Sequence, residues 1–353
     1  MKARCLALIA VLLPTAVAAQ DASRIREAES LLEILVEAYG PSGMEGPVRD
    51  AVKKALPSWA RPETDSAGNL WVTVGKGEPT VVFVAHLDEV GFVIRGIAES
   101  GALELEALGG VFPELWEARP ALIHTGRTAV PGVFQPRDSS GALRADVGTS
   151  SKAASEALGI RPGHTVTMPK EYVRLAGYRA TGRSFDDRVG STAQVLALRR
   201  LDPSRLEHTV IFLWSTREEI GLEGARAAAD SLRFRPVRVH AIDTFVSADS
   251  PLEPQAFAVA PLGRGPVARA LDNSSVTPPA YLDSLVGLAR RRGVPLQVGT
   301  TNGGNDGSAF GAYGVPDVPV GWPLRYSHSP VEVMDLRDLL HLSEIVRAAA
   351  EDW

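Results

Sequence analysis

Apolar runs and amphipathic stretches alternate along most of the chain. Thr209 to Trp214 and Val81 to Ala85 carry no charge and are rich in β-branched residues, the pattern of strands buried on both faces. Leu70 to Val74, Val237 to Ile242 and Val318 to Trp322 read as further strands. Ile25, Ala28, Leu31, Leu32, Leu35 and Val36 fall on one helical stripe and predict a helix from Ala22 to Tyr39, ended by Gly40-Pro41-Ser42-Gly43. Further helices are predicted over Pro47 to Leu56, Ser191 to Arg200, Gly221 to Leu232, Tyr281 to Arg292 and Leu336 to Ala350. Strand and helix in alternation predict an α/β fold: a mixed, mostly parallel sheet flanked by helices on both faces.

Between about Phe92 and Tyr178 the pattern changes. Short runs (Leu103 to Leu108, Ala121 to His124, Gly132 to Phe134, Thr165 to Met168) are separated by glycines and prolines, and only Ser151 to Leu158 looks helical. This stretch reads as a small β-rich domain, residues 93–177, inserted into a discontinuous body made of residues 20–92 and 178–353.

The first residues belong to neither part. Lys2 and Arg4 precede an apolar run from Cys5 to Leu13, and Ala16-Val17-Ala18-Ala19 offers small residues for cleavage, the layout of a secretory signal peptide over residues 1–19. The run is too short for a stable membrane anchor, so the expected destination is outside the cytoplasm, periplasmic or secreted. The single cysteine, Cys5, lies in this segment, which leaves the mature chain without disulfides or a thiol nucleophile.

Composition narrows the rest. At 353 residues, with 45% apolar and 22% charged, the chain is long enough for a full core and too apolar for disorder. A formal net charge of -5 without a basic stretch argues against a nucleic-acid partner.

The predicted strands end in residues that bind cations. The Val81 run leads into His86-Leu87-Asp88-Glu89, the Thr209 run into Glu218-Glu219, the Val237 run into Asp243, and the last strand is followed by His328; Asp186 and Asp187 stand before the helix at Ser191. Ligands of open α/β sheets sit beyond the carboxyl ends of the strands. Two adjacent carboxylates leaving a buried strand repel each other and lose solvation, so they require a cation or a shared proton. Taken alone, the pair also reads as a solvated acidic turn, and a single histidine as a hydrogen-bonded structural residue. A His/Asp/Glu set drawing on Asp186 or Asp187 and on Glu218 or Glu219 suits zinc, cobalt or manganese. Two such ions about 3.5–4 Å apart, bridged by a carboxylate, form the usual two-metal hydrolase site.

These residues stand in motifs that resemble those of the M42 family of dinuclear metallo-aminopeptidases. The resemblance runs over Tyr39-Gly40-Pro41-Ser42-Gly43, Ala85-His86-Leu87-Asp88-Glu89-Val90-Gly91-Phe92 and Phe185-Asp186-Asp187-Arg188-Val189-Gly190. It continues through Arg217-Glu218-Glu219-Ile220-Gly221-Leu222-Glu223-Gly224-Ala225, Ala241-Ile242-Asp243 and Pro323-Leu324-Arg325-Tyr326-Ser327-His328-Ser329-Pro330. It implies two divalent ions per subunit, zinc with cobalt or manganese as alternatives. His86 and Asp243 would hold one ion, Glu219 and His328 the other, and Asp186 would bridge them, with Asp187 bracing the loop. It implies Glu218 as the general base, taking a proton from the metal-bridging water and passing it to the leaving amine. Asp88 would orient a metal ligand from behind. It further implies peptide substrates with a free N-terminus, a homo-oligomer (dimer or higher), and a dimerisation role for the inserted β-rich segment.

The chain departs from the family pattern in its signal segment, at Asn305 (often Thr) and at Arg217 (often apolar or Gln), the last two bearing on the substrate pocket. Gly303, Gly304 and Gly307 read either as cleft lining or as a plain turn, and Trp214 and Trp322 as core. His124, His164, His208, His240 and His341 match no motif and read as surface or packing residues. Other readings of the site are a carboxypeptidase or deacylase sharing the two metals, a glycoside hydrolase, and a non-catalytic binding protein. Glycosidase carboxylates work without metals, and a binding protein would have lost a ligand or Glu218.

Overall fold

The computed structural model describes residues 12–126, 128–231, 235–247, 249–250 and 259–352, with side chains from residue 20 onward. Residues 1–11 of the expected signal segment lie outside the described residues; the first helix, Leu12–Glu37, starts ahead of the expected Ala22 and takes in the remainder of that segment. No helix of the described residues is long and apolar enough to cross a membrane.

The fold is mixed α/β. Its central sheet runs, in order, Pro62–Thr64, Leu70–Gly75, Thr209–Ser215, Thr80–His86 and Arg238–Ala241. The last three strands are parallel, whereas Leu70–Gly75 runs antiparallel to Thr209–Ser215 and to Pro62–Thr64. The expected mostly parallel sheet is thus parallel on one side of Thr209–Ser215 and antiparallel on the other. The apolar runs explain why the centre of the sheet is dry: Val210 through Trp214 and Val81 through Ala85 are all buried.

Alternate residues of each strand face opposite layers. Val81, Phe83 and Ala85, with Val210, Phe212 and Trp214, pack with the helices Leu12–Glu37, Phe185–Arg200 and Leu336–Asp352. Val82, Val84, Ile211 and Leu213 pack instead on Ala225, Ala228 and Ala229 of the helix Glu223–Asp230 and on Phe310. Burial of each large side chain in these layers contributes about 1.5–3 kcal/mol.

Between Thr80–His86 and Arg179–Gly182 the chain forms a closed antiparallel barrel of six strands: Gly91–Ile97, Leu103–Leu108, Arg144–Asp146, Ala129–Phe134, Pro120–His124 and Thr165–Thr167. Its separate core is built around Phe92, Trp116 and Phe134, whose rings meet at 5.2–5.6 Å between centroids. Closure removes the exposed edges that strands this short would otherwise leave. The sequence pattern identifies several of these strands but not their closure.

Elsewhere two differences stand out. The expected core strand over Val318 to Trp322 is two short pieces, Val320–Gly321 and Pro323–Leu324, which pair in different sheets. The loop after Asn305 continues as a 3-10 helix, Asp306–Tyr313, capped by the Asn305 side chain accepting from the Gly307 N–H at 2.8 Å.

Candidate metal centre

Strand register brings the motifs together. In the parallel pair, Ser215 lies opposite His86 and Trp214 opposite Ala85. Leu87-Asp88 and Thr216 to Glu219 therefore leave the sheet side by side. On the other flank Ala241 pairs with Val84, so Asp243 emerges beside the same edge. Asp186 and Asp187 open the helix Phe185–Arg200 with non-helical backbone, joined by a cis peptide bond.

The loops that carry these groups are bent by unusual backbone. Among the described residues, the non-glycine positions with positive φ are Ala118, Ser184, Arg217, Leu222, Tyr326 and His328. All but Ala118 lie in site loops: Ser184 precedes Phe185-Asp186, Arg217 precedes Glu218, and His328 itself has φ 62°. Each such residue costs about 1–3 kcal/mol, and such strain collects at functional sites.

Asp186 sits between the two histidines. Its Oδ1 is 3.1 Å from His86 Nε2, and its Oδ2 is 3.6 Å from His328 Nε2. Glu219 Oε2 is 3.3 Å from the same His328 nitrogen. One donor atom each of His86, Asp186 and Glu219 lie within 4.8 Å of one another. Asp243 lines the same cavity, and its Oδ1 is 3.4 Å from Arg269 Nη2. Glu218 also lines it, with its carboxylate 4.0 Å from His86 Nε2.

Behind these groups stand braces. Asp88 is fully buried and accepts from the backbone N–H groups of Glu218 at 2.9 Å and Glu219 at 3.2 Å and from the Ser42 hydroxyl at 2.6 Å. Its Oδ1 is 3.4 Å from His86 Nδ1, an ion-pair distance rather than a well-aligned hydrogen bond. One side chain thus faces the histidine and holds the Glu-Glu turn. Asp187 accepts from the backbone of His86 and of Gly190, each at 2.9 Å, and does not line the cavity.

Sequence reasoning overlooked Glu332. This buried carboxylate accepts from the N–H groups of Phe185 at 2.6 Å and Asp186 at 3.4 Å through one oxygen, and from His328 at 2.9 Å through the other. It links the backbone at Asp186 to that at His328. The available signal was an acid inside the apolar alternation Val331 to Met334. Arg269, held by Asp272, Asp243 and the carbonyls of Thr244 and Gly304, was also missed. Of the glycines, Gly303 and Gly304 line the cavity and Gly307 packs on Asp317. Neither Asn305 nor Arg217 lines it: Asn305 is a buried cap bonded to Asp272, and Arg217 pairs with Glu223 at 3.5 Å.

The electrostatics are lopsided. Among the described residues, four carboxylates, Asp186, Glu218, Glu219 and Asp243, line a cavity of about 630 Å³, and Arg269 is the one permanent cation lining it. Burial, reinforced by the neighbouring carboxylates, pushes Glu218 well above the usual range; burial also pushes Glu219 up to about 7 and Asp243 to about 6. For both histidines burial opposes the charged ring, but the surrounding carboxylates outweigh it and raise them well above 6.5. Excess buried negative charge with imidazole and carboxylate donors converging fits divalent cations of the zinc, cobalt or manganese type.

Two histidines and four carboxylates converging on one cleft beyond the sheet edge fit one class, the metal-dependent hydrolases. Comparisons with known proteins make the class specific. The family described as M42 glutamyl aminopeptidase matches residues 68–345. The lysyl aminopeptidase of Pyrococcus furiosus is 30% identical over 91% of this chain and 96% of its own length. The glutamyl aminopeptidase of Lactococcus lactis is 27% identical over 90% and 94%. Among solved structures, the Pyrococcus horikoshii TET1 peptidase, described as assembling into a tetrahedron or a large octahedral shell, superposes with a TM-score of 0.85. It is 31% identical over 92% of this chain and 100% of that one. The chain belongs to the M42 glutamyl aminopeptidase family and, with it, to the hydrolases acting on peptide bonds.

Proposed function

We propose that this chain is a metal-dependent aminopeptidase that removes N-terminal residues from peptides, with two divalent ions, zinc by donor type, bound between His86, Asp186, Glu219, Asp243 and His328. The observation that carries this reading is the Asp186 carboxylate, which offers one oxygen to His86 and the other to His328. His86 and Asp243 would hold one ion, Glu219 and His328 the other, with Asp186 shared. When bound, such ions polarise a scissile carbonyl and lower the pKa of water towards about 7.

The remaining chemistry belongs to the chain. Glu218 faces the cavity beside that donor set, while its backbone N–H is fixed by Asp88. Its carboxylate is the base that accepts the proton of the attacking water and returns it to the leaving amine. Burial raises its proton affinity, which suits a group that must both take and give a proton near neutral pH. Asp88 keeps Glu218 and Glu219 pointing to their separate tasks. Anionic groups in the cleft also suit a free, protonated α-amine, which favours removal of residues from the N-terminus.

The proposal extends to organisation. Residues 1–19 direct export to the periplasm or outside the cell, residues 20–92 with 178–353 carry the catalysis, and residues 93–177 serve assembly into a homo-oligomer. The oligomer rests on the likeness to the TET1 peptidase.

The test is to strip the mature chain with a chelator, restore zinc, cobalt or manganese, and assay aminoacyl-p-nitroanilides beside their N-acetylated forms. Metal-restored cleavage of the free-amine substrates alone is expected. Equal cleavage of the blocked substrates indicates a general amidase, and a folded chain inactive in every metal form contradicts the proposal.

A further inference from the structure

We infer that the β-barrel is a working part of the metal centre: its Gly109-Gly110 turn is a positioning element that fixes the ring of His328. The inference rests on the proposed role of His328 as a metal ligand. Three observations carry it. The His328 Nδ1 lies 2.9 Å from the carbonyl oxygen of Gly110. A carbonyl only accepts, so the ring donates from Nδ1 and turns Nε2 towards Glu219 and Asp186. A partner on the second nitrogen is what sets tautomer and orientation in a metal-binding histidine.

The turn is also seated closely. A Cβ at Gly110 would lie 3.1 Å from His328 Nδ1, and one at Gly109 would lie 3.1 Å from the Glu219 Cβ and 3.2 Å from its Oε2. Gly109 has φ +86°, which disfavours other residues there. Both side chains assigned to one metal are therefore touched by the same two barrel residues. Two residues further on, Phe112 lines the cavity with Gly110.

Finally, the barrel is fastened to the α/β body. Glu89 lies just ahead of the first barrel strand and Lys170 just after the last one, and the two form a buried ion pair. Arg183, at 3.1 Å, and Arg188, at 2.6 Å, complete the cluster on Glu89. A barrel held this way keeps the turn at fixed distance from His328.

The test compares metal-stripped wild type, Gly110→Ala and a control, Gly311→Ala, whose added methyl meets nothing within 4 Å. Zinc binding is read by calorimetry and folding by circular dichroism. Gly110→Ala is expected to keep one zinc equivalent at wild-type affinity and to bind the other about 10–100-fold more weakly, with the control unchanged. Two equivalents bound as in the wild type would overturn the role of the turn and leave the metal centre standing. A wild type that binds no zinc would overturn the metal centre and this inference with it. Should Gly110→Ala fail to fold, the zinc-loaded wild type still decides: its ¹⁵N-labelled His328 ring, assigned by loss of the signal in His328→Gln, is expected as the Nδ1–H tautomer. An Nε2–H tautomer would contradict the inference.

Discussion

Two buried charge clusters lie on either side of Leu87-Asp88 and solve opposite problems. Around Glu89, three cations (Lys170, Arg183, Arg188) surround a single carboxylate, and the surplus positive charge is met by backbone carbonyls of Leu35, Ala38, Leu87, Asp88, Val90 and Met168. The three cations outweigh burial and hold Glu89 well below the usual carboxylate range. Around Asp186 the excess is negative. Among the described residues no comparable set of N–H donors reaches the cavity-lining oxygens, and burial leaves Glu218, Glu219 and Asp243 with raised proton affinity. A cluster whose charges are satisfied by its own chain is structural; one left with anionic excess is built to receive cations. Burial disfavours charge in both clusters, pushing Lys170 well below its usual range as it pushes Glu218 well above, so the source of compensation, rather than the direction or size of a shift, separates the two.

The largest effect expected from this contrast is on turnover. Glu218→Gln removes the proposed base while keeping size, and kcat is expected to fall about 10²–10⁴-fold with metal content unchanged; loss of metal instead would make Glu218 a ligand. The reverse pattern is expected at the other cluster. Glu89→Gln strands three buried cations and should reduce unfolding free energy by about 3–5 kcal/mol, read by urea denaturation. A small change there would remove the distinction between the clusters.

An intermediate effect is expected at Glu332. Truncation to Ala frees the backbone at Asp186 and His328 together and should weaken metal binding about 10–100-fold, measured by competition with a chromophoric chelator. Unchanged affinity with an intact fold would show that the loops hold their spacing without it.

The smallest effect concerns pH. Away from the site, burial pushes the carboxyls of Asp317 and Asp338 up to about 7 from a value of 3.8. Between those values the folded chain holds protons that the unfolded chain has lost. The contribution of these two groups to the stability of the metal-free protein therefore falls as pH rises from about 4 to 7 and levels off above about 8. Asp317→Asn should make that slope shallower, a shift visible in thermal melts across the range. An unchanged slope would show that Asp317 does not contribute.

The sheet and its helices were legible because burial on both faces and helical spacing leave strong periodicities, as in Val210 to Trp214 and Ile25 to Val36. The candidate site was legible where motifs name side chains: His86, Asp186, Glu218, Glu219, Asp243 and His328 line one cavity, and Asp88 lies buried behind them. What stayed hidden depends on long-range closure or on backbone atoms. The six-strand barrel needs pairings such as Phe92 with Val166 that no local pattern encodes. The Gly110 carbonyl has no signature in residue type, and the left-handed turns at Arg217 and His328 occur at residues that rarely adopt them. Glu332 was masked by its setting, a single acid in a β-like run.

The most direct measurement is the number of zinc ions retained per chain after stripping, reloading and equilibrium dialysis, for the wild type and for Asp186→Asn. If the anionic cluster exists to receive a metal pair, the wild type holds two ions and the variant loses tight binding of both, as a shared bridging carboxylate requires. A folded wild type that retains no zinc, or a variant that retains as much as the wild type, would contradict that assignment.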